Sequence, residues 1–306
     1  MPQARAIINF TSNKINIMRK IEASELIINS DGSIFHLHLK PENIANTIIL
    51  VGDPGRVDIV ASFFDNIEHT SCNREFVSKT GTYKGKRFTA LSTGIGTDNI
   101  DIVVNELDAL ANIDLNTRQV KEEHKQLTLV RIGTSGAIQG DIEVDTPVIS
   151  EMAIGFDGLL NFYANRDKIA QLDYEDAFIS HTDWNKKLTS PYFVKGDNET
   201  INKLSVLGRK GMTISAPGFY GPQGRVLRLP LQDSDLNEKI ESFRYENRAI
   251  TNFEMECSAI YGLSNLLGHK SATICAIIAN RVNKTYSKDY HPVVKKLIND
   301  VLDCLL

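Results

Sequence analysis

The sequence lacks the features that mark membrane-spanning, disulfide-rich and nucleic-acid-binding proteins. Its 306 residues contain no apolar run near the roughly 20 residues that cross a bilayer. The four cysteines show no CxxC spacing, which argues against a structural zinc site or a disulfide framework and favours buried free thiols in a reducing cytosol. A net charge of −4 offers no general basic surface to nucleic acid or to an anionic membrane. We therefore expect a cytoplasmic protein with no nucleic-acid or membrane partner.

The N-terminus also lacks a secretory signal, because no apolar core with a small-residue cleavage site precedes Lys20. We expect residues 1–32 to be an N-terminal extension that can be flexible, and residues 33–306 to form one domain. Met18 is an alternative start, which would make residues 1–17 an upstream extension. No repeat, low-complexity tract or Pro/Gly/Ser-rich linker divides the remaining chain, and its length is ample for one large core.

Short apolar segments typical of strands alternate with segments of helical period. Residues 46–53 form an apolar β-branched run that ends in a Gly/Pro turn, and a predicted helix follows at 57–64. Apolar side chains recur at helical spacing over residues 98–113, and Asp98 can cap that helix. Further strands are predicted on both sides of a Lys84-Gly85 turn within 79–93 and at 127–134, 212–216 and 272–279, and further helices at 253–267 and 292–305.

This alternation predicts an α/β fold, a single-domain α/β/α sandwich with a mixed, largely parallel central sheet. The polar residues 116–126 are expected to be a surface loop or a helix extension. Sheets of this kind bind ligands at the carboxyl ends of their strands. Several polar motifs of this sequence fall at predicted strand ends, and these are the candidates for a functional site.

Two of these motifs carry arginines suited to an anion. Gly52 lets backbone N–H groups approach a ligand near the positive end of the following helix, and Arg56 adds a forked charge. Arg131 lies inside an apolar strand, where it needs an anionic partner because desolvation of its charge is costly, and Thr134 provides a hydroxyl nearby. A plain turn is the alternative for the first motif, and a structural arginine–carboxylate pair for the second.

A third motif, FYGPQGR, places an aromatic ring, an amide and a guanidinium on one Gly/Pro turn. Phe219 can stack on a planar heterocycle, Gln223 can donate and accept hydrogen bonds, and Arg225 can donate in the plane of the ring. These properties suit a base that carries carbonyl oxygens and an N–H group. A plain surface turn is the alternative.

The remaining candidates are less distinctive by themselves. Glu256 lies in FEMEC at the predicted start of a helix, and a carboxylate there can hold vicinal ribose hydroxyls or only complement the helix dipole. Arg281 follows the apolar strand 272–279 and is expected to point toward the same region. His36 lies in an alternating, strand-like segment, FHLHL, where a histidine is more often structural or exposed.

Eight collinear segments of the chain together resemble the nucleoside phosphorylase superfamily, and within it the uridine phosphorylases, from about Ser33 to the C-terminus. FYGPQGR and the Asn280-Arg281 pair favour the pyrimidine branch, because purine branches usually carry an aspartate near that pair to protonate a purine nitrogen. The eight segments are FHLHL, VGDPGRV, NREF, STGIG, RIGTSGAI, FYGPQGR, FEMECSA and IANRVN.

The resemblance implies reversible phosphorolysis of uridine to uracil and ribose 1-phosphate, as in pyrimidine salvage. Bound phosphate would attack C1′ of the ribose, so no side-chain nucleophile, metal or organic cofactor is needed. Arg131, Gln223 and Arg225 would be the catalytic residues. The implied phosphate ligands are Gly52, Arg56, Arg131, Thr134 and, in the site of a neighbouring subunit, Arg74. The implied ribose ligands are Met255, Glu256 and, across the dimer interface at the 5′-hydroxyl, His36, and the implied base ligands are Phe219, Gln223, Arg225 and Arg281.

The resemblance also implies a homo-oligomer, a hexamer built from dimers, and the sequence departs from the family pattern at two places. Thr97-Asp98-Asn99 stands where the best-known bacterial members have Gly-Pro-Ser, so an interfacial monovalent cation stays open although Glu75 is kept. FYGPQGR exchanges the Pro and Gly of the usual FYPGQER and has Gly224 in place of its glutamate.

Other functions remain open from the sequence. These are a purine or broad-specificity nucleoside phosphorylase, a nucleosidase that uses water, and a non-catalytic protein that binds nucleosides or phosphate. The three candidate phosphate arginines argue against water as the nucleophile. Gln223 and Arg225 argue against a purine.

Overall fold

A twelve-stranded sheet runs through the part of the chain that the computed structural model describes, residues 20–306. The strands are β1 Thr47–Val51, β2 Asn66–Asn73, β3 Phe76–Tyr83, β4 Lys86–Ser92, β5 Ile113–Asp114, β6 Gln119–Val120, β7 Thr128–Ala137, β8 Pro147–Gly155, β9 Tyr192–Lys195, β10 Arg209–Ser215, β11 Arg244–Tyr245, β12 Arg248–Glu254, β13 Lys270–Asn280 and β14 Thr285–Tyr286. The α-helices are α1 Pro54–Ala61, α2 Thr97–Asn112, α3 Leu172–Thr182, α4 Asn198–Leu204, α5 Leu236–Ser242, α6 Cys257–Leu267 and α7 His291–Cys304.

The sheet is mixed, as predicted. Its strands lie in the order β11-β12-β10-β8-β13-β7-β1-β4-β3-β2, with β14 beside β13 and β9 beside β8, while β5 and β6 pair separately. β1 runs parallel to β4 and β7, β7 to β13, and β10 to β8 and β12. β12 also pairs with β7 through Asn252 and Phe253, so β7, β13, β8, β10 and β12 close into a ring.

Helices cover both faces of the parallel part of the sheet, which confirms the predicted α/β/α sandwich. In β1, Ile48 and Leu50 belong to one apolar cluster, together with residues of α2 and α6. Ile49 and Val51 belong to a second cluster with residues of α1 and α7. Successive side chains of a strand point to opposite faces, so an uninterrupted apolar strand requires cover on both sides.

Most predicted strands and helices are present, but the helix predicted over 253–267 begins only at Cys257. Phe253 and Glu254 form the end of β12. The Glu254 carboxylate accepts the backbone N–H groups of Glu256 and Cys257, which turns the chain between the strand and the helix. The apolar pattern does not distinguish these residues because both elements are buried.

Three smaller predictions at element ends also need correction. Asp98 does not cap α2, since Gly96 occupies the N-cap position with no side-chain hydrogen bond. FHLHL is a turn rather than a strand, because the Glu106 carboxylate accepts the backbone N–H groups of His36 and Leu37. Residues 116–126 are neither wholly loop nor helix, because β6 pairs with β5 in a short hairpin.

The N-terminal boundary stays a prediction. Residues 1–19, with the alternative start at Met18, lie outside the described residues. Within residues 20–32, the Ile21 N–H donates to the Arg118 carbonyl at 2.8 Å, Leu26 packs against the core and Ile28 forms a bridge with Ile34.

Two expectations about composition can be compared with residues 20–306. All four cysteines are free, but only Cys257 and Cys275 are buried, whereas Cys72 is exposed and Cys304 is half-buried. The prediction of buried thiols is therefore correct for two of the four. No helix in this range is both long and apolar enough to cross a membrane.

A buried polar network joins three strands where the ring closes. Asn252 is fully buried, and its amide donates to the Ser135 hydroxyl at 2.9 Å, which links β12 to β7. Its carbonyl oxygen accepts the hydroxyls of Thr213 at 2.9 Å and Thr251 at 2.7 Å. Every polar group of the Asn252 side chain is thus used to hold strands that carry the residues described next.

We expect Asn252→Leu to lower the free energy of unfolding by about 3 kcal/mol, because three buried hydroxyls lose their amide partner. Urea denaturation measures this loss. Asn161→Leu changes an exposed asparagine and should shift stability by about 0.5 kcal/mol or less. Equal losses in the two variants would contradict the role given to the network.

Candidate active site

A cleft of about 980 Å³ opens at the carboxyl ends of β1, β7, β12 and β13. Strands that lie far apart in the sequence end together here, so the cleft gathers most of the predicted residues. The predicted residues that line it are Gly52, Arg56, Arg131, Thr134, Phe219, Gln223, Arg225, Met255 and Glu256. His36, Arg74 and Arg281 do not line it.

Arg131 occupies the centre of the site. It is only 5% exposed, and its guanidinium pairs with the Glu256 carboxylate and lies 3.4 Å from the Glu254 carboxylate. Burial opposes the charge of Arg131, but attraction to Glu256 and Glu254 outweighs burial and raises its pKa. The cation predicted from the sequence therefore has protein carboxylates as partners, and one of them is the predicted ribose ligand.

The pairing leaves part of the Arg131 guanidinium free. Its Nε and Nη1 are buried and have no hydrogen-bond partner in the protein. Gly133 makes this orientation possible, because a Cβ at that position would lie 1.8 Å from Nη1. Buried donors without a partner are costly, so these atoms favour an acceptor supplied by a ligand or by water.

Arg56 brings a second cation to the same side of the cleft. Its Nη1 donates to the Ile132 carbonyl at 3.4 Å. Burial and then repulsion from Arg131 lower the pKa of Arg56. Two guanidiniums that repel one another beside Gly52 and Thr134 form a site whose charge an oxyanion would stabilise.

A pair of buried carboxylates forms the adjoining wall. The Glu256 carboxylate accepts the Gly96 N–H at 2.8 Å in addition to Arg131. Glu254, which the sequence reasoning did not single out, accepts the Ser215 hydroxyl at 2.5 Å and two backbone N–H groups. Burial raises the pKa of Glu254, and the nearby charge of Glu256 adds to that effect while Arg131 opposes it.

The FYGPQGR turn forms the opposite wall. The Arg225 guanidinium lies over the Phe219 ring at 3.8 Å and donates to the Phe219 carbonyl at 2.6 Å. It also donates to the Gln223 side-chain oxygen at 2.5 Å, which leaves the Gln223 amide nitrogen as a free donor in the cleft. Burial and then repulsion from Arg281 lower the pKa of Arg225 to about 10. This wall presents hydrogen-bond donors to a flat polar ligand.

Asn280 and Arg281 act on backbone groups and do not reach the cleft. The Asn280 amide donates to the carbonyls of Gln139 and Ile142, and its oxygen accepts the N–H groups of Val282 and Asn283. Arg281 donates to the carbonyls at positions 223 and 224.

His36 and Arg74 lie next to one another on the surface outside the cleft. The Asn73 amide donates to the His36 carbonyl at 2.8 Å, so the turn that carries Arg74 rests on the turn that carries His36. The Glu106 carboxylate accepts the His36 ring nitrogen Nδ1 at 2.6 Å, and Arg74 is exposed. Neither residue contacts the cleft of its own chain.

Other lining residues were missed by the sequence reasoning as functional candidates. Glu75 and Asn99 pack over Gly94, and Tyr290 lies near Arg56. Glu75 and Asn99 entered the sequence analysis only through the question of a monovalent cation, and Tyr290 did not enter it. Among residues 20–306, no group of three or more histidine, cysteine or acidic side chains is placed to hold a metal ion.

The chain belongs to the Phosphorylase superfamily. The sequence model of that family matches residues 46–304, which contain the whole cleft.

Three relatives show how the chain stands within the family. It is 28% identical to a uridine phosphorylase from Thermococcus kodakarensis over 89% of this chain and 86% of that protein. It is also 28% identical to a DeoD-type purine nucleoside phosphorylase from Listeria monocytogenes, over 79% of this chain and 85% of that one. A Trypanosoma brucei nucleoside phosphorylase, described as showing uridine phosphorylase activity, superposes with a TM-score of 0.83 at 28% identity, over 92% of this chain and 99% of that chain.

We expect Arg131→Leu to lower the free energy of unfolding by about 3–5 kcal/mol, because it leaves two buried carboxylates without their cation. Arg131 opposes the raised pKa of Glu254, so its removal raises that pKa further, and a carboxyl whose folded pKa is raised loses stability as pH rises through that pKa. The loss should therefore be larger near pH 8 than near pH 5. Urea denaturation at both values measures it.

Two further variants test the cause of that loss. Arg131→Leu combined with Glu256→Gln should recover part of the stability, since one of the unpaired charges is removed. Arg209→Leu removes an exposed ion pair with Asp141 and should cost about 1 kcal/mol or less. A loss in Arg131→Leu that is independent of pH would contradict the electrostatic explanation.

Proposed function

We propose that the protein is a uridine phosphorylase, a pentosyltransferase that converts uridine and orthophosphate reversibly to uracil and ribose 1-phosphate. The observation that carries the proposal is the position of Arg131, which lines the cleft with Arg56, has buried donors without a protein partner and forms an ion pair with Glu256. One residue thereby joins an oxyanion site to a carboxylate suited to ribose hydroxyls.

Phosphate is the nucleophile in this proposal. Arg56 and the free donors of Arg131 bind it, with Gly52 and Thr134 lining the same end of the cleft. Holding phosphate beside C1′ turns a bimolecular step into an intramolecular one. An oxygen of phosphate forms the bond to C1′ while the bond from C1′ to N1 of the base breaks, through a transition state with cationic character at the sugar.

The departing base takes the electron pair of the broken bond. Arg225 and the free amide nitrogen of Gln223 donate hydrogen bonds to its carbonyl oxygens, and these bonds strengthen as negative charge develops. Arg281 supports the turn that carries them. Phe219 backs Arg225 and offers the edge of its ring to the base.

Ribose is held by Glu256 and Met255 on the wall between these two ends. The neighbouring positions of His36 and Arg74 support an arrangement in which a second subunit brings both to this cleft, His36 at the 5′-hydroxyl and Arg74 at phosphate. A hexamer built from dimers, a cytoplasmic location and a reaction without metal or organic cofactor complete the proposal, and an interfacial monovalent cation beside Glu75 stays open.

A purine nucleoside phosphorylase is the second candidate, because such an enzyme from Listeria monocytogenes is also 28% identical to this chain. The occupied side chain of Asn280 argues against it. Its amide and its oxygen are all bonded to backbone groups, so it has no group left to protonate or bind a purine nitrogen.

We expect uracil to be released from uridine only when orthophosphate is present, with one ribose 1-phosphate formed for each uracil. Chromatography of the products, with inosine and thymidine as parallel substrates, measures this. Cleavage without phosphate would point to a nucleosidase, and a preference for inosine would point to the purine enzyme. The absence of turnover on all three would favour a non-catalytic binding protein.

Arg225→Ala should lower kcat on uridine by about a hundredfold or more, because one donor to the developing charge is worth roughly 3 kcal/mol. Steady-state kinetics at saturating phosphate measures the change. Arg228→Ala removes an exposed arginine three residues further on, outside the cleft, and should leave kcat near that of the wild type. A kcat near that of the wild type in Arg225→Ala would remove this residue from the mechanism.

A further inference from the structure

The turn that carries Gln223 and Arg225 is held from behind, on the side away from the cleft. Arg281 donates to the Gln223 carbonyl at 2.9 Å and to the Gly224 carbonyl at 3.2 Å. The Asn237 amide, from α5, donates to the Gln223 carbonyl at 3.3 Å. The carbonyl oxygens of two consecutive residues are therefore bound by side chains that do not line the cleft.

Gly224 makes a second, tighter contact with Asn237. Its backbone lies in the left-handed region with φ of +69°, which disfavours any residue with a side chain. A Cβ at this position would lie 2.2 Å from the Asn237 amide nitrogen and 2.7 Å from its Cγ. The amide of Asn237 thus packs directly against the space that a side chain at position 224 would need.

These contacts determine where the side chains on either side of Gly224 point. Gln223 is only 3% exposed and lines the cleft, and Arg225 is half-buried above Phe219. The left-handed residue between them reverses the chain direction, so both side chains reach the same cleft from positions two residues apart in a tight turn. A rotation of the 223–224 peptide would move both donors at once.

The same contacts also fix the relative positions of two positive charges, those of Arg225 and Arg281. Repulsion from Arg281 contributes to the lowered pKa of Arg225, after burial. The two carbonyl oxygens accept hydrogen bonds from the Arg281 guanidinium and hold it outside the cleft. Of Arg225 and Arg281, only Arg225 therefore lines the cleft.

We propose that Asn237 is a positioning residue for base recognition, which with Gly224 and Arg281 clamps the Gln223–Gly224 peptide so that Gln223 and Arg225 point at the base. This inference rests on the proposed function, because it assigns a purpose to the base-reading wall of that site. Asn237 itself contacts no substrate and acts through Arg225 and Gln223.

The test is a double-mutant cycle on the intact protein. Asn237→Ala should lower kcat/KM for uridine roughly tenfold, since a small misplacement of a binding group is enough for such a loss. In the Arg225→Ala background the same change should have a clearly smaller effect, because one of the two residues through which it acts is gone. The KM for phosphate should stay within about twofold of the wild type, since the phosphate end of the cleft is not touched.

Four companion variants separate positioning from a general loss of structure. Glu238→Ala changes an exposed residue of the same helix and should match the wild type. Gly224→Ala should impair uridine cleavage at least as much as Asn237→Ala, and Gly224→Ala combined with Asn237→Ala should be no worse than Gly224→Ala alone, because the clash is then relieved. Gly32 also has a positive φ, but a Cβ at that position would meet no neighbouring atom. The change in Tm of Gly32→Ala therefore measures the cost of backbone strain without a steric clash.

The results of these experiments distinguish failure of the inference from failure of the proposed function. Fully additive losses in the cycle, an equal rise of the KM for phosphate, or uridine kinetics near those of the wild type in Asn237→Ala would each overturn the inference and leave the proposed function standing. Arg281→Lys, which keeps the charge but cannot reach both carbonyls, should reproduce the Asn237→Ala pattern. A wild type that does not cleave uridine would overturn the proposed function, and the inference with it.

Discussion

The charge of Arg131, buried within the central strand β7, is the constraint on which the site depends. A guanidinium in the core is stable only with carboxylates beside it, and Glu254 and Glu256 supply them from a strand end far along the chain. Pairing uses only part of the guanidinium, because Nε and Nη1 remain without partners. The same residue therefore lines the cleft beside Arg56, pairs with its carboxylate wall and keeps two donors without a protein partner.

The closed ring of β7, β13, β8, β10 and β12 gives this ion pair its geometry. Because β12 returns to pair with β7, the turn after Glu254 comes to lie beside Arg131. Asn252 fixes the junction by hydrogen bonds to Ser135 and Thr213. Arg131 and Glu254 thus lie on strands whose positions the sheet fixes. Functional side chains on rigid strands are placed more precisely than side chains on loops.

The wall that we propose to bind the base is built differently, since FYGPQGR is a turn outside the sheet. Its geometry depends on side chains that bind its carbonyl groups and on a left-handed backbone conformation at position 224 that favours glycine. Position 224 carries a glutamate in the usual family pattern, and the tight packing of Asn237 on Gly224 explains why no side chain fits there in this chain. Changes in base preference within such a fold can therefore arise in the turn and its supports without altering the sheet.

Local patterns in the sequence determined the fold class, most strands and helices, and eight of the residues that line the cleft, because apolar periodicity and Gly/Pro turns are local properties, while Met255 came only from the family resemblance. They failed where two elements share one apolar pattern, as at Phe253, and where a distant carboxylate shapes a turn, as Glu106 does at His36. Only the tertiary structure decided that Arg131 pairs with Glu256, that Glu254 joins them, and that Arg281 binds backbone carbonyls behind the turn. These contacts join residues separated by more than fifty positions, and no local pattern records which partner a buried charge will meet.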